Sequence, residues 1–427
     1  MADRGADRAV DRAPRGLLLR GYLLAARALP LIAPTVLRRR LARGKEDPAR
    51  WREKLGEASA PRPEAPVIWL HAVGLGEVLA LRGLIAEMAA QAPGAEFLVT
   101  STARSSALVM AANLPPRTRH QFLPLDAPQY VARFLDHWRP VLSVWAEQEI
   151  WPGAVVAAHA RAIPLAMVNA RITAGSHARR ARARGLYADL LARFALVSAQ
   201  DRGTADRLAD LGAQGVRIGG SLKPAAPPLS VDMAELARLR AALEGRKIWA
   251  AASTHPGDEA EALAAAAALP DRLLILAPRD IGRADGVAAD LAARGLSFVR
   301  RSRGDLPGPQ TRVWLADSYG ELGLWYRLAE AALVGGGFDA IGGHNPWEAA
   351  ALGAAVLHGP DVGNFAADHA RLEQAQAARR VMHGELAAAL QDPGLPAMAA
   401  RARALVDAAQ GSLAPLATDL LALARLP

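Results

Sequence analysis

The chain of 427 residues contains no cysteine, and this absence excludes disulfide bonds and metal sites built on thiolates. Its ten histidines are scattered without HExxH or comparable ligand spacing, so we predict no metal site and no bound cofactor. The Walker A and GxGxxG glycine patterns are missing too, which argues against an ATPase or a dehydrogenase. The remaining composition, 52% hydrophobic and 22% charged, is typical of a folded globular protein.

Lysine is also scarce, because only four of the 51 basic residues are lysines. One of them, Lys223, stands in GGSLKP, a glycine turn that ends a predicted strand. A compact ammonium at this position can stabilise a departing phosphate or a substrate carboxylate where a planar guanidinium would not fit. A lysine placed there by chance is the alternative that the sequence leaves open.

The net charge of +9 is concentrated at the N terminus, where residues 1–45 hold eleven Arg or Lys and three Asp. Nucleic-acid binding requires a basic face on the folded domain, so we predict no nucleic-acid partner and favour an anionic membrane surface. Residues 16–37 are mostly apolar but include two arginines and two prolines, which favours a membrane-associating helix over a spanning one. A helix packed on its own protein is the alternative. The basic residues that follow suit the cytoplasmic side of a membrane.

From Val67 onward, short apolar runs alternate with segments of helical length, which predicts βαβ units and parallel sheets. A proline-rich break after Lys223 separates two such series. We therefore predict an α/β protein with two Rossmann-like doubly wound domains facing a cleft. The predicted divisions are a basic tail and membrane-associating helix (1–48), a first domain (49–224), a linker (225–231) and a second domain (232–427).

The glycine-rich stretch from Val334 to Pro360 is the most informative motif. An apolar run ends in three glycines, and a second glycine pair leads to Asn345 and then to Pro346, where a helix is predicted to start. Bare backbone N–H groups at such a turn form a nest for a phosphate, and Glu348 can accept hydrogen bonds from a ribose diol. An ordinary glycine-rich turn of any α/β protein is the alternative.

Carboxylates follow two predicted strands of the first domain. Glu77 opens a helix after HAVGLG, where it can serve as a general base or simply stabilise the helix start. Glu147 and Glu149 follow another strand two residues apart, and on an extended segment both would point to the same side. A solvated strand end is the alternative for this pair.

Polar groups also follow the strands of the second domain. Each of these turns can equally be a capped helix start. Together they predict that a nucleotide is surrounded by Ser253, Thr254, Arg279, Tyr319, Gly320 and Glu321. The arginines between Asn169 and Gly185 can meet anionic groups on a large acceptor such as a phosphorylated lipid, or can form a solvated basic face.

Taken in order, these motifs resemble those of the 3-deoxy-D-manno-octulosonic acid (Kdo) transferases of lipopolysaccharide synthesis. The resemblance covers nearly the whole chain after residue 16, and it is specific because the motifs occur in the order of that family. They read HAVGLGE, AEQEIWP, NARIT, GSLKP, ASTHPGDE, APRD, DSYGEL and GGHNPWEAAALGAAVLHGP.

The resemblance implies an inverting GT-B glycosyltransferase at the cytoplasmic face of the inner membrane, which moves Kdo from CMP-Kdo to the tetraacyl lipid A precursor, lipid IVA. It implies that Glu77 is the general base and that Glu147 and Lys223 stabilise the transition state. The CMP-binding residues that it implies are Pro278, Arg279, Tyr319, Gly320, Glu321, Asn345, Pro346, Trp347 and Glu348.

The chain departs from that family pattern at a few positions, namely Gly74, Gln148, Asp280, Tyr319 and Gly337. Asp280 is the most notable, because it brings an acid close to the expected phosphate. Since Glu77, Glu147, Lys223 and Glu348 are intact, we predict altered specificity rather than loss of activity. The alternatives are a GT-B enzyme or epimerase that uses another nucleotide sugar, and a catalytically silent membrane-bound paralogue.

Overall fold

The computed structural model describes residues 16–426 except 105–106, 108–109 and 111–113. The first fifteen residues of the predicted basic tail lie outside the described residues. The chain forms two compact units, one of residues 1–226 with 409–427 and the other of residues 227–408.

The first unit is built on a parallel sheet of seven strands. The strand order is β3-β2-β1-β4-β5-β6-β7, so the chain changes direction of winding between β1 and β4. A crevice forms at such a switch point, at the carboxyl ends of the strands. The strands are β1 Val67–His71, β2 Glu96–Ser101, β3 Thr118–Phe122, β4 Leu142–Ala146, β5 Leu165–Ala170, β6 Leu196–Ala199 and β7 Arg217–Ile218.

Helices cover both faces of this sheet, so its central strands are buried along their whole length. On one face, the Trp69 ring packs edge-on against Phe134 at 4.9 Å and against Trp145 at 5.4 Å. The helices of this unit are Leu17–Ala26, Leu29–Ala42, Leu75–Gln91, Pro128–Trp138, Pro152–His159, Ala174–Ala181, Arg184–Leu191, Arg202–Asp210 and Leu413–Ala424, with a 3₁₀ turn at Trp51–Leu55.

The second unit repeats this plan with the strand order β10-β11-β9-β8-β12-β13-β14, and its switch point lies between β8 and β12. Its strands are β8 Lys247–Thr254, β9 Arg272–Pro278, β10 Phe298–Arg300, β11 Val313–Leu315, β12 Ala331–Val334, β13 Ala355–His358 and β14 Ala378–Arg380. Its helices are Met233–Ala242, Pro256–Ala268, Ala284–Ala293, Leu322–Leu328, Trp347–Ala351, Ala366–Gln374, Leu386–Leu390 and Leu395–Gly411, with 3₁₀ turns at Ile281–Arg283, Arg301–Arg303 and Gly363–Phe365.

The C-terminal segment differs from the predicted division, which placed residues 232–427 in one domain. Residues 409–427 belong to the first unit instead. Their helix, Leu413–Ala424, buries Leu413, Ala417 and Leu420 in the same apolar cluster as side chains of the helix Leu75–Gln91. The sequence indicates the helix but not its partner, because an apolar face does not specify which surface covers it.

Two strands, β3 and β14, were not predicted. Both lie at an edge of their sheet, and they read TRHQF and ARR. Polar edge strands carry no apolar run for sequence analysis to detect, because one side of the strand faces no neighbour.

The predicted membrane-associating helix is two helices, Leu17–Ala26 and Leu29–Ala42, bent by 57°. Among the described residues, neither helix alone has the length and apolarity to cross a bilayer, and only this bent pair meets those criteria together. The first helix is fixed to the first unit, because the Tyr22 hydroxyl donates to the buried Asp126 carboxylate at 2.7 Å. The pair nevertheless leaves large apolar side chains exposed, at Leu17, Leu18, Leu24, Leu31, Ile32 and Val36.

Candidate functional site

Glu77 lies in the first turn of the helix Leu75–Gln91, directly after β1. Its Oε2 atom accepts hydrogen bonds from the backbone N–H groups of Val73 at 3.0 Å and Gly74 at 3.2 Å. These bonds stabilise the start of the helix, as the alternative interpretation of Glu77 expects, but they use only the Oε2 atom of the carboxylate. The carboxylate is therefore held at the switch point of the sheet with its orientation fixed.

Glu147 follows β4, on the other side of the same switch point. Its backbone is left-handed, with φ of 59°, and its side chain is hydrogen-bonded to Glu77. Burial, and then the negative charge of Glu77, raise the pKa of Glu147 to about 7, against the opposing charges of Lys223 and Arg171. Two carboxyl groups can share a hydrogen bond only when one of them is protonated, and the raised pKa of Glu147 favours its protonated form.

Glu149 does not share this environment. The strand ends at Ala146 and the turn at Glu147 is left-handed, so the extended segment predicted for the two glutamates is not formed. Glu147 is 7% exposed, whereas Glu149 is exposed to solvent. The expectation that both side chains point to the same side was wrong for this reason.

Asn169 is a site residue that sequence analysis missed. It is the penultimate residue of the neighbouring strand β5, in a left-handed conformation with φ of 54°, and is 2% exposed. Its Nδ2 lies 3.5 Å from Oε1 of Glu147, and its Oδ1 accepts from the backbone N–H of Leu222 at 3.0 Å. Asn169 thus connects Glu147 to the residue before Lys223. Only its place in NARIT hinted at a role.

Gln148 is held by the basic segment that follows β5. Arg180 donates to the backbone carbonyl of Gln148 at 2.9 Å and to its side-chain oxygen at 3.2 Å, and Ser176 donates to the same oxygen at 3.1 Å. Arg180 therefore supports the Glu147 turn. This contact accounts for one arginine of the segment that was predicted to meet an anionic acceptor.

In the second unit, the predicted nucleotide residues gather at the carboxyl edge of the sheet. Ser253 and Thr254 end β8, and Pro278 ends the adjacent strand β9. Ser253 has a left-handed φ of 56° at a register shift, and the N–H of Arg279 donates to the carbonyl of Thr254 at 3.0 Å. Thr254 is buried, while Arg279 is exposed to solvent, so Arg279 is the available cation at this edge.

The glycine turn after β12 is not the open anion nest that we expected. The buried carboxylate of Asp258 accepts from the N–H groups of Gly336 at 2.6 Å, Gly337 at 3.2 Å and Phe338 at 3.1 Å. It also accepts from the N–H of His255 at 2.9 Å. An internal anion already occupies these donors, so that part of the prediction was wrong.

The structure brings Asn345 and Glu348 together, since the amide of Asn345 donates to Glu348 at 3.4 Å. Burial raises the pKa of Glu348, and the Asn345 bond and the Arg279 charge oppose this shift. Pro346 caps the short helix Trp347–Ala351. Trp347 is buried and its indole N–H donates to Asp368 at 2.9 Å, so it packs in the core.

The turn of Tyr319, Gly320 and Glu321 is only partly available. The carboxylate of Glu321 accepts from Arg301 at 2.6 Å and also from the hydroxyl of Ser318. Its negative charge is therefore already paired within the protein. Tyr319 is 67% exposed, and Gly320 has a φ of 88°, which favours glycine. The aromatic ring and the backbone are the parts of this turn that face solvent.

Two departures from the family pattern have a structural account. Asp280 is exposed and accepts from the N–H of Gly282 at 2.9 Å, so its charge caps its own turn. Gly337 lies against Gly359, where a Cβ atom would come within 2.7 Å of the Gly359 nitrogen. A serine at position 337 would require the two backbone segments to move apart.

Within the described part of the chain, no group of three or more His, Asp or Glu side chains is arranged to hold a metal ion.

The fold is shared with UDP-GlcNAc 2-epimerase from Neisseria meningitidis, at 12% identity and a TM-score of 0.54, over 84% of this chain and 99% of that chain. The two Rossmann-like units are those of a GT-B protein, which confirms the predicted fold class, and the protein is a glycosyltransferase.

The sequence comparisons show which glycosyltransferase family this is. The family model described as 3-deoxy-D-manno-octulosonic-acid transferase (kdotransferase) matches residues 49–226. The 3-deoxy-D-manno-octulosonic acid transferase of Bordetella pertussis is 37% identical over 81% of this chain and 83% of its own length. That of Rickettsia bellii is 31% identical over 85% of this chain and 87% of its own length. The chain belongs to the Kdo transferase family, which confirms the resemblance found in its motifs.

Proposed function

We propose that this enzyme transfers Kdo from CMP-Kdo to the phosphorylated lipid A precursor, lipid IVA, with inversion at the anomeric carbon. Membership of the Kdo transferase family supports the donor sugar. The observation that carries the mechanism is the hydrogen-bonded pair of Glu77 and Glu147, whose environment includes the charge of Lys223.

In the proposed reaction, Glu77 takes the proton from the acceptor hydroxyl as its oxygen attacks the anomeric carbon of Kdo. The bond from that carbon to the phosphate oxygen breaks, and its electron pair leaves with CMP. With the shared proton on Glu147, Glu77 is the ionised partner and can act as the base. Lys223 supplies positive charge where the transition state develops negative charge.

The donor nucleotide is assigned to the second unit. Arg279 provides a cation for the phosphate, and the carboxyl of Glu348 is suited to the ribose hydroxyls. Asn345, which donates to Glu348, fixes the orientation of that carboxyl. Ser253 adds a hydroxyl at the end of β8.

The helices Leu17–Ala26 and Leu29–Ala42 are assigned to the cytoplasmic surface of the inner membrane. Their exposed leucines supply an apolar face, and the arginines that follow Leu37 supply charge for anionic lipids. An acceptor with acyl chains remains in the bilayer, so attachment of the enzyme to the same surface brings it to its substrate.

The direct test is to incubate the purified protein with CMP-Kdo and lipid IVA and to measure the mass of the lipid product. A product heavier by one or more Kdo units supports the proposal, and the configuration of the new linkage, read by NMR, tests inversion. UDP-sugars serve as the matched donor control. Transfer from a UDP-sugar but not from CMP-Kdo, or no transfer by folded protein, contradicts the proposal.

A further inference from the structure

Two histidines of the second unit are in direct contact. The Nε2 atoms of His255 and His344 lie 3.0 Å apart, and their rings are stacked with centroids 5.3 Å apart and planes 15° apart. Two imidazole nitrogens at this distance form a hydrogen bond only if one carries a proton and the other does not. The ligand-free pair therefore holds one proton between its Nε2 atoms. Both rings are half-buried, so they remain accessible to a ligand.

The surroundings of this pair favour an anion. His255 follows β8 and precedes the helix Pro256–Ala268, whose N-terminal end carries partial positive charge. Burial lowers the pKa of His344, and so do the charges of His255 and Arg279, while Asp258 opposes the shift. Arg279 is thus a permanent cation close enough to be felt by the pair.

The backbone N–H groups of the glycine turn beside this pair already have an acceptor. Asp258 accepts from the N–H groups of His255, Gly336, Gly337 and Phe338. An incoming phosphate must therefore be met by side chains. Two imidazoles in contact beside a guanidinium are the donors that the structure offers.

We propose that His255 and His344 bind the phosphate of the nucleotide and take up one proton from solvent as it binds. The proton breaks the bond between the two Nε2 atoms, and each Nε2–H then donates to a phosphate oxygen. The proposal rests on the proposed nucleotide donor and deepens it. When CMP leaves the sugar, its phosphate gains one negative charge, and the protonated pair balances that charge.

The other ionisable groups around the pair are Arg279, at the end of β9, Asp258, in the helix Pro256–Ala268, and His369, which lies next to the main chain of His344. Burial lowers the pKa of His369 to about 3, so His369 stays neutral at the pH of the test. Asp258 is fixed by its four N–H bonds. The expected proton therefore enters the His255–His344 pair.

The test is calorimetric titration with CMP at about pH 7.5, where its phosphate is already a dianion because its second pKa is about 6. Titration in two buffers of different ionisation enthalpy gives the number of protons taken up. We expect close to one proton for the wild-type protein. Cytidine, which has no phosphate, is expected to cause no uptake.

His255→Gln and His344→Gln are each expected to abolish proton uptake and to weaken CMP binding by at least roughly tenfold, since each removes a hydrogen bond to a charged group. His383→Gln is the matched control, because that exposed side chain pairs with Glu261 instead, and it is expected to behave as wild type. Thermal unfolding checks that each variant is folded.

Wild-type CMP binding without proton uptake overturns the inference, as does unchanged binding and uptake in both glutamine variants or uptake with cytidine. If the variants do not fold, the ¹⁵N signals of the histidine rings in wild-type protein decide, because CMP must convert the unprotonated Nε2 atom of the pair to a protonated donor. Failure of wild-type protein to bind CMP at all contradicts the proposed nucleotide donor itself, which separates the two failures.

Discussion

The side-chain amide of Asn169 lies 3.5 Å from the carboxylate of Glu147, and its other side-chain atom binds the backbone of Leu222, next to Lys223. One buried residue thus holds together the two segments that supply Glu147 and Lys223. A bond donated to a carboxylate favours its ionised form, so loss of this bond is expected to favour the protonated form of Glu147.

Asn169→Asp is expected to shift the pH dependence of turnover. Aspartate tolerates the left-handed backbone and keeps an oxygen for the Leu222 N–H, but it removes the donor and adds a negative charge. The limb of the pH profile that reports Glu147 should move to higher pH by roughly one unit. Gln200→Ala, which removes only a bond to the Asn169 carbonyl, is the control. An unchanged pH profile would mean that Asn169 does not position Glu147.

Glu77→Gln is expected to lower turnover by roughly 10²–10⁴-fold, the usual contribution of a general base. The amide oxygen of glutamine can still accept from the N–H groups of Val73 and Gly74, so the fold should survive. Initial rates with CMP-Kdo and lipid IVA, followed by mass spectrometry, measure the loss. Glu87→Gln, on the same helix, should retain wild-type rates. Wild-type turnover in folded Glu77→Gln would remove Glu77 from the mechanism.

Glu147→Gln is expected to change how stability depends on pH. The folded protein raises the pKa of Glu147 from 4.5 to about 7, so the native state holds this proton more tightly than the unfolded chain. Its contribution to stability is therefore greatest below pH 4.5, and it is lost as the pH rises to about 7.

The glutamine variant cannot ionise at this position, so it does not lose stability in this way. Between about pH 5 and 8 its free energy of unfolding should rise relative to that of the wild type by on the order of 1–3 kcal/mol. Urea unfolding across this range measures the difference. Glu149→Gln, at an exposed site two residues away, should follow the wild-type curve. Parallel curves for Glu147→Gln and wild type would refute the shifted pKa.

Asp258→Ala is expected to destabilise the second unit by at least about 3 kcal/mol, because it leaves four backbone N–H groups without their acceptor, three of them in the glycine turn. Asp280→Ala, which removes one bond at an exposed turn, should cost about 0.5–1 kcal/mol. Chemical unfolding compares the two. A similar small cost for both would show that the glycine turn holds its shape without Asp258.

The N-terminal helices are expected to bind vesicles that contain anionic lipids. Replacement of Leu17, Leu24 and Leu31 by serine together should weaken this binding at least roughly tenfold, because each buries apolar area in the interface. A control variant replaces three exposed apolar residues elsewhere, Ile218, Met233 and Leu306. Vesicle flotation at low and high salt provides the measurement. Equal losses in both variants would argue against a dedicated membrane face.

The central strands and the residues at their carboxyl ends could be predicted because they form apolar runs followed by glycine turns. Asn169 and Asp258 could not, since each acts through partners 22 to 80 residues distant or through buried backbone groups that leave no pattern. Glu321 was predicted as a nucleotide-binding residue because it is an acid that follows a glycine turn. In the fold it pairs with Arg301, twenty residues earlier, and the sequence pattern does not reveal that partner.

The return of Leu413–Ala424 to the first unit means that this unit is encoded by two separate segments, with the whole second unit inserted between them. A chimaera with a single crossover near residue 226 would join that helix from one parent to the surface of Leu81, Leu84 and Met88 from the other. Exchange of whole halves between relatives therefore requires a second crossover near residue 408, or matched changes on the two faces.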